Sequence, residues 1–222
     1  MNKEILKRII TSFFLITLLG LTFFYSYILI ISLAIVSIIS WIEFYGLIVK
    51  IFYKNTFRSS FLKFSIKAIS LIYLTLFSFI IFNGIAKNNY ELNMLYLFFI
   101  CIFSDIGGLI FGKFFKGKKL TKISPNKTMS GSIGSFILSL TLVPIFYYLL
   151  PKNFNSPFDL IFLAIMVSFS CQIGDLFFSY LKRKAKVKDT GDLLPGHGGI
   201  LDRIDGILFA IPIGTLLWKF LV

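Results

Sequence analysis

Charge is scarce in this chain of 222 residues, and acidic side chains are scarcest. Only 15% of the residues are charged, against about a quarter in a typical soluble domain. Ten residues are Asp or Glu, two are cysteine and one is histidine. The sequence also lacks the ten-residue stretches of alternating polarity that are typical of strands in a membrane β-barrel. This composition excludes a soluble globular domain and a disordered chain, and it argues against a barrel.

Long apolar runs fill the sequence instead. Hydrophobic residues make up 57% of the chain, and 28 residues are phenylalanine. Nearly uncharged runs of 18 or more residues recur along the whole length, and about 20 such residues cross a bilayer as a helix. We therefore predict an all-α, polytopic transmembrane helical bundle of about seven spans. The expected spans are two within residues 9–48, divided near Tyr25 and Ser26, and then residues 65–86, 94–112, 131–150, 157–180 and 201–222.

Basic residues indicate how these spans are oriented. The chain has 23 Lys and Arg and a net charge of +13. If the N-terminus is cytoplasmic, twenty of the 23 lie on the cytoplasmic side, as the positive-inside rule requires. Such a face would meet anionic lipid headgroups or a phosphate-bearing substrate, and we expect no nucleic-acid partner. The first apolar run has no small-residue cleavage site, so we expect it to be a retained helix.

Two aspartates lie inside predicted spans. Asp105 is in the fourth span and Asp175 in the sixth, where a carboxylate costs about 2.5–3.5 kcal/mol on insertion scales. Asp202 and Asp205 open the last span, and their i, i+3 spacing places them on one helical face. We predict that these acids converge at one level near the cytoplasmic surface. Each could instead be structural and paired with a nearby Lys or Arg.

Carboxylates that share one site repel each other unless protons or a cation neutralise them. A divalent ion held by oxygen ligands, most simply Mg²⁺ together with substrate phosphates, meets that need. The only two cysteines, Cys101 and Cys171, lie in apolar runs and are expected to be buried thiols, although a bridge between them is possible.

The segment between the last two spans has the features of an anion-binding loop. It begins with Lys182 and Arg183 and continues through Lys188 and Asp189 to a glycine-rich stretch before the last helix. Glycines let backbone N–H groups approach an anion, and a helix N-terminus favours a negative charge. The pattern predicts a phosphate site, although a lone histidine such as His197 is more often a turn residue than a catalyst.

Residues 179–205 resemble, position for position, the signature of the CTP:phosphatidate cytidylyltransferases, or CDP-diacylglycerol synthases. That signature reads Ser-x-apolar-Lys-Arg, four residues, Lys-Asp-x-small, and then Pro-x-His-Gly-Gly-apolar-x-Asp-Arg-apolar-Asp. Residues 105–128 are similar to a second cytoplasmic motif of that family. The resemblance covers about the last 120 residues. Met129 and Ser130 depart from it, because the family commonly has an aromatic residue and Glu there, and Leu109 or Ile110 replaces a frequent Arg.

The resemblance implies transfer of CMP from CTP to phosphatidic acid, which yields CDP-diacylglycerol and pyrophosphate in phospholipid biosynthesis. It also implies a site with Mg²⁺ and a second, possibly monovalent, cation. The implied metal ligands are Asp175, Asp202, Asp205 and Ser179, and the implied catalytic residues are the three aspartates with Lys182 and Arg183. The implied substrate-binding residues are Lys188, Asp189, His197, Gly198, Gly199, Arg203, Lys113, Lys127 and Ser124.

We expect a single integral membrane domain over residues 1–222, with N-terminal helices in 1–90 and a catalytic half, with a polar pocket on the cytoplasmic side, in 91–222. The expected location is a bacterial inner membrane, and a homodimer is possible. A lipid-alcohol kinase and a CDP-archaeol synthase are the enzymatic alternatives. A cation transporter is the non-enzymatic one, but the outer halves of the spans are nearly free of charge, with Glu43 and Lys219 as the ambiguous cases.

Overall fold

The fold is described from a computed structural model of the chain. The description covers residues 13, 17, 18, 20–53, 56–86, 91–121, 123–150, 156–193 and 198–221. Within these residues seven named helices account for nearly all of the regular structure. They are α1 (Ser26–Ile51), α2 (Phe57–Ala86), α3 (Glu91–Phe115), α4 (Met129–Leu140), α5 (Val143–Leu149), α6 (Pro157–Lys184) and α7 (Leu201–Leu221).

The predicted multi-pass helical membrane fold is confirmed. Six segments of the described chain are long and apolar enough to cross a membrane, with α4 and α5 counted together. The expected division near Tyr25 is also present: Tyr25 has an extended backbone (φ −129°, ψ 105°) between helical residues 20–24 and α1. The first predicted span lies largely outside the described residues.

Helix α2 begins at Phe57, eight residues earlier than the predicted span. Thr56 and Ser59 account for this start, because each side-chain oxygen accepts a hydrogen bond from the other residue's backbone N–H (3.0 and 3.3 Å). This reciprocal capping satisfies N–H groups that would otherwise lack partners at the helix end. Hydropathy missed the first turns because they carry Arg58 and Lys63.

The fifth predicted span is two helices rather than one. Pro144 has no backbone N–H, and its ring crowds the carbonyl four residues earlier, at Leu140. The chain accordingly tightens at Thr141 and Leu142, whose N–H groups bond to carbonyls three residues back, both at 3.3 Å. Helix α5 then starts at Val143 with the proline in its first turn.

The structure divides into two compact units. The first consists of Met1–Ala86 and Leu181–Ile204 and contains α1 and α2. These helices are joined by a hydrogen bond between Ser37 Oγ and Ser78 Oγ (2.6 Å) and by one from Trp41 Nε1 to the Lys67 carbonyl (3.1 Å). The Lys67 ammonium group lies 4.8 Å from the centre of the Trp41 ring. Polar contacts of this kind hold apolar helices together where the hydrophobic effect does not.

The second unit consists of Lys87–Tyr180 and Asp205–Val222. Its helices α3 and α4 approach closely at glycines: a Cβ on Gly107 would lie 2.4 Å from the Gly134 carbonyl oxygen. Small residues permit such backbone contact between membrane helices. Serines add hydrogen bonds, from Ser135 Oγ to the Ser104 carbonyl (2.7 Å) and between Ser104 Oγ and Ser168 Oγ on α6 (2.9 Å). The core is thus tightly packed and internally hydrogen-bonded.

Candidate functional site

The first site element is the turn that ends α6 and starts the loop that follows it. Val187 N–H donates to the Lys182 carbonyl (3.0 Å), and Lys186 N–H donates to the Arg183 carbonyl (3.1 Å). With Lys186 in the left-handed region (φ 57°), this is a Schellman motif. Glycine usually occupies that position, and a lysine there is strained. The turn fixes where the loop leaves the helix.

Asp202, in the first turn of α7, is the centre of the loop cluster in this unit. Its Oδ1 accepts a hydrogen bond from the Lys182 ammonium group (2.7 Å), and the two side chains are 5% and 14% exposed. Its Oδ2 accepts from Thr190 N–H (2.8 Å), Thr190 Oγ1 (3.0 Å) and Gly199 N–H (3.1 Å). Both oxygens are therefore engaged, and the carboxylate joins three parts of the chain between residues 182 and 202.

The glycines of the loop are required by its geometry. Gly198 has a φ of +80°, a conformation that disfavours every residue with a Cβ. A Cβ there would also lie 3.1 Å from Asp202 Oδ2 and 3.3 Å from Asp189 Cβ. The structure thus brings together Lys182, Asp189, Gly198, Gly199 and Asp202.

Sequence analysis missed Glu43 as a member of this cluster. Glu43 lies on α1, is 9% exposed and accepts hydrogen bonds from Thr190 Oγ1 (2.8 Å), Ile200 N–H (3.1 Å) and Leu201 N–H (2.9 Å). The available signal was an acidic residue within an apolar run, which is costly without a partner. Its partners are more than 145 residues away in sequence, so no local pattern reveals them.

The second unit holds the other central carboxylate. Asp175 on α6 forms an ion pair with Lys127, through Oδ2 and the ammonium group. The two side chains are 31% and 27% exposed, considerably more than the Lys182 and Asp202 pair. Lys127, a residue of the second motif, therefore contacts Asp175, which is one of the predicted catalytic residues.

A folded loop positions Lys127. Leu120 N–H donates to the Lys127 carbonyl (2.7 Å), and Met129 N–H donates to the Lys118 carbonyl (2.8 Å), so residues 118–120 pair with residues 127–129 in an antiparallel arrangement. Ser130 supports its base: Ser130 Oγ accepts from Gly117 N–H (3.2 Å) and lies 3.0 Å from Thr128 Oγ1. Ser130 therefore serves as a support for the loop.

Helices α6 and α7 meet beside Asp175. A Cβ on Gly174 would lie 2.6 Å from the Asp205 carbonyl oxygen, so Asp175 and Asp205 lie at the same level of the bundle. One turn earlier on α6, Cys171 Sγ lies 3.9 Å from Asp105 Oδ1. Cys101 and Cys171 are buried free thiols, as expected. Three of the acids, Asp105, Asp175 and Asp205, thus belong to one stretch of the second unit.

The other candidates stand apart from these contacts. Ser124 is a turn residue, whose N–H donates to Thr121 Oγ1 (3.2 Å) and whose carbonyl accepts from Lys127 N–H. Ser179 is half-buried on α6, and His197 lies outside the described residues. The remaining basic candidates are exposed: Lys113, Arg183, Lys188 and Arg203.

Across the described ranges, no group of three or more His, Cys, Asp or Glu side chains is arranged to hold a metal ion. Asp175 and Asp202 fall in different units, so their participation in a common metal site stays a prediction. What the structure supplies is a carboxylate paired with an ammonium group in each unit.

Comparison with known proteins now decides the family. The model of the cytidylyltransferase family matches residues 2–221, nearly the whole chain. The chain belongs to the cytidylyltransferase family. Both site elements of the chain, the loop of residues 182–202 and the pair of Lys127 with Asp175, lie within the matched region, and the resemblance seen in the sequence is confirmed.

Three relatives, each named phosphatidate cytidylyltransferase, illustrate the similarity of the chain to curated proteins. The chain is 39% identical to the Rickettsia typhi protein over 144 residues, which are 61% of this chain and 62% of that protein. It is 42% identical to the Staphylococcus haemolyticus protein over 125 residues (56% and 48%) and 40% identical to the Bacillus subtilis protein over 131 residues (57% and 48%). The chain thus spans about half to three fifths of the length of the curated relatives it matches.

Proposed function

We propose that the protein transfers CMP from CTP to phosphatidic acid and so forms CDP-diacylglycerol and pyrophosphate. An oxygen of the lipid phosphate attacks the α-phosphorus of CTP, and the bond from that phosphorus to the oxygen bridging to the β-phosphorus breaks. The lipid phosphate is already an anionic nucleophile, so no Ser, Cys or Lys nucleophile is needed. The protein's task is to align two polyanions and to stabilise negative charge in the transition state.

The observation that carries the proposal is the ordered cluster around Asp202. Motif residues from the end of α6, the loop and the start of α7 are held by hydrogen bonds of 2.7–3.1 Å. An ordered loop with glycines and flanking cations is suited to bind phosphate groups. The proteins named phosphatidate cytidylyltransferase that match this chain give the phosphates their identity in the proposal.

The two ion pairs assign roles to the lysines. Lys182 and Lys127 each neutralise a carboxylate in the structure, and each ammonium group would bind a substrate phosphate when a cation neutralises that carboxylate instead. Exposed Arg183 and Lys188 would attract the same polyanions, as arginine and lysine do in phosphoryl-transfer sites. Lys113, Arg203 and the loop residues Asp189, His197, Gly198 and Gly199 complete the proposed substrate site.

Magnesium fits Asp175 better than Asp202. The Asp175 carboxylate is 31% exposed and supplies hard oxygen ligands of the kind that Mg²⁺ prefers. Asp202 is 5% exposed and already accepts four hydrogen bonds, so a cation would have to replace Lys182 at Oδ1. We propose Asp175, Asp202, Asp205 and Ser179 as the residues that hold Mg²⁺ and a second cation. The metal would neutralise phosphate charge during transfer.

We further propose that the site faces the cytoplasm of a bacterial inner membrane. Two arguments support this. Twenty basic residues cluster on one predicted side, and the lysines of both ion pairs, Lys127 and Lys182, are among those twenty. Phosphatidic acid would stay in the leaflet with its headgroup at the level of the acids, and CTP would enter from the cytosol.

The test uses the purified full chain in vesicles that contain phosphatidic acid. With Mg²⁺ and CTP labelled in the α-phosphate, we expect label in the lipid and one pyrophosphate released per labelled lipid. Omission of phosphatidic acid, or chelation with EDTA, should reduce both products to background, and added Mg²⁺ should restore them.

Three other outcomes would contradict the proposal in different ways. Release of CDP without pyrophosphate would indicate a lipid-alcohol kinase. Turnover restricted to unsaturated ether lipids would indicate a CDP-archaeol synthase. Ion flux across the vesicles with CTP left intact would indicate a cation transporter.

A further inference from the structure

Glu43 is a buried acid that belongs to neither predicted motif, yet it contacts the loop at three points. Its Oε1 accepts from Ile200 N–H, and its Oε2 accepts from Leu201 N–H and from the Thr190 hydroxyl, at 2.8–3.1 Å. Ile200 and Leu201 form the start of α7, where backbone N–H groups have no partner within the helix. A side chain of α1 therefore satisfies the donors that begin the last helix.

Two glycines of the loop pack closely against this carboxylate. A Cβ on Gly199 would lie 2.4 Å from Glu43 Oε2, and one on Gly191 would lie 2.7 Å from Glu43 Oε1. Neither position requires glycine for a positive φ, which the loop shows only at Gly198 among its described glycines. Close approach of the glutamate thus accounts for two glycines of the loop.

Glu43 also connects to Asp202 through one hydroxyl group. Thr190 Oγ1 lies 2.8 Å from Glu43 Oε2 and 3.0 Å from Asp202 Oδ2, so it can donate to either carboxylate. Backbone N–H donors engage both oxygens of Glu43, and such donors would face a bound cation with the wrong polarity. The arrangement is therefore that of an anchor rather than of a metal ligand.

We propose that Glu43 is a positioning residue for the transfer reaction: it holds Thr190, Ile200 and Leu201 in the arrangement that presents Asp202, Gly198 and Gly199 to the substrates. The inference rests on the proposed function and extends it to α1, outside both motifs. It assigns the N-terminal helices a direct part in building the site. Glu43 itself touches neither substrate in this account, because its oxygens face the loop backbone.

The first test compares Glu43→Gln with Glu91→Gln, an exposed acid at the start of α3. Glutamine retains size but offers one acceptor oxygen, so one loop N–H group would face an NH₂ group. We expect kcat to fall about tenfold or more and KM for CTP to rise about threefold or more, with Glu91→Gln unchanged. A purely structural loss of folded protein would lower kcat and leave KM unaltered.

The second test measures hydrogen exchange of peptides that cover residues 198–204, which needs no catalysis. We expect exchange at Ile200 and Leu201 to become at least tenfold faster in Glu43→Gln. If Glu43→Gln impairs folding, Thr190→Val offers a milder change that removes one of the three donors. It should speed exchange at the same amides and lower kcat about threefold to fivefold.

The third test is a double-mutant cycle between Gly191→Ala and Glu43→Ala. The alanine methyl group should displace the carboxylate and lower the rate about tenfold in the wild-type background, and by less than twofold when Glu43 is already absent. Equal effects in both backgrounds, or wild-type exchange and kinetics in Glu43→Gln, would overturn the inference. A wild-type chain that releases no pyrophosphate would instead overturn the proposed function. The hydrogen-exchange experiment would still test whether Glu43 holds the loop in place.

Discussion

Asp175 and Asp202 differ in what a loss of charge would do. Asp202 is nearly inaccessible to solvent and accepts four hydrogen bonds, whereas Asp175 is about one-third exposed and forms an ion pair with Lys127. Buried charges depend on their partners far more than exposed ones do. The same substitution at the two positions therefore separates a role in catalysis from a role in loop structure.

We predict that Asp175→Asn and Asp202→Asn each lower turnover about a hundredfold or more, the scale seen when one preorganised charge-stabilising group is lost. Only Asp202→Asn should also loosen the loop, because Asn cannot accept at both positions that the carboxylate serves. Turnover in phosphatidate vesicles and the thermal midpoint of the purified protein measure the two effects. Wild-type turnover in either variant would remove that residue from the site.

Lys182 gives a stability prediction. Lys182→Met leaves the buried Asp202 carboxylate without its cation, and loss of one partner of a buried ion pair costs about 3–5 kcal/mol. Lys118→Met, at an exposed lysine of the other loop, serves as the control and should cost less than about 0.5 kcal/mol. Chemical denaturation in mixed micelles compares the two. Equal midpoints would mean that the pair contributes little.

Sequence analysis could name candidate residues but not all of their neighbours. The depth of Asp105 and Asp175 in the membrane stays an expectation from the helical rise, because both lie a few turns from a group of lysines. The pairs of Lys127 with Asp175 and Lys182 with Asp202 did not follow, since 48 and 20 residues separate the partners. The alternative interpretation, an acid paired with a nearby lysine, describes Asp175 and Asp202, while the shared metal site stays a prediction.

At the scale of helices, hydropathy predicted correctly that long apolar segments form helices able to span a membrane. Apolar length predicted the six spans, but it could not place their ends, because capping at Thr56 and the charged first turns of α2 extend that helix beyond the apolar run. The break at Pro144 had a visible cause and was still missed, since α4 and α5 have continuous hydropathy. Helix contacts through glycine depend on pairing that one sequence does not reveal.

Glycine positions offer a matched comparison. A Cβ on Gly134 would lie 2.3 Å from Phe111 Cβ, whereas one on Gly46 would meet nothing within 4 Å. We predict that Gly134→Ala destabilises the protein by about 1–3 kcal/mol through overpacking. Gly46→Ala should be neutral or stabilise α1 by about 0.5–1 kcal/mol. Thermal unfolding of both variants in the same detergent tests the difference, and similar midpoints would argue against close packing of α3 and α4.

For the whole molecule, the distribution of charge predicts its orientation. Lys118→Cys should be protected from a membrane-impermeant maleimide in right-side-out vesicles, and Lys152→Cys should react, because the first is predicted inside and the second outside. The native thiols are 1% exposed and should give little background. Labelling of Lys118→Cys from outside would reverse the proposed topology.

The anchor formed by Glu43 also has a consequence for biogenesis. Glu43 precedes its partner Ile200 by 157 residues, so ribosomal synthesis at 5–20 residues per second separates them by about 8–30 s. During that interval the nascent α1 carries an acid in an apolar helix whose final partners do not yet exist. Release of the helix from the insertion machinery before the loop emerges would leave this acid among lipids, so the order of translation makes the earliest helices depend on the last one.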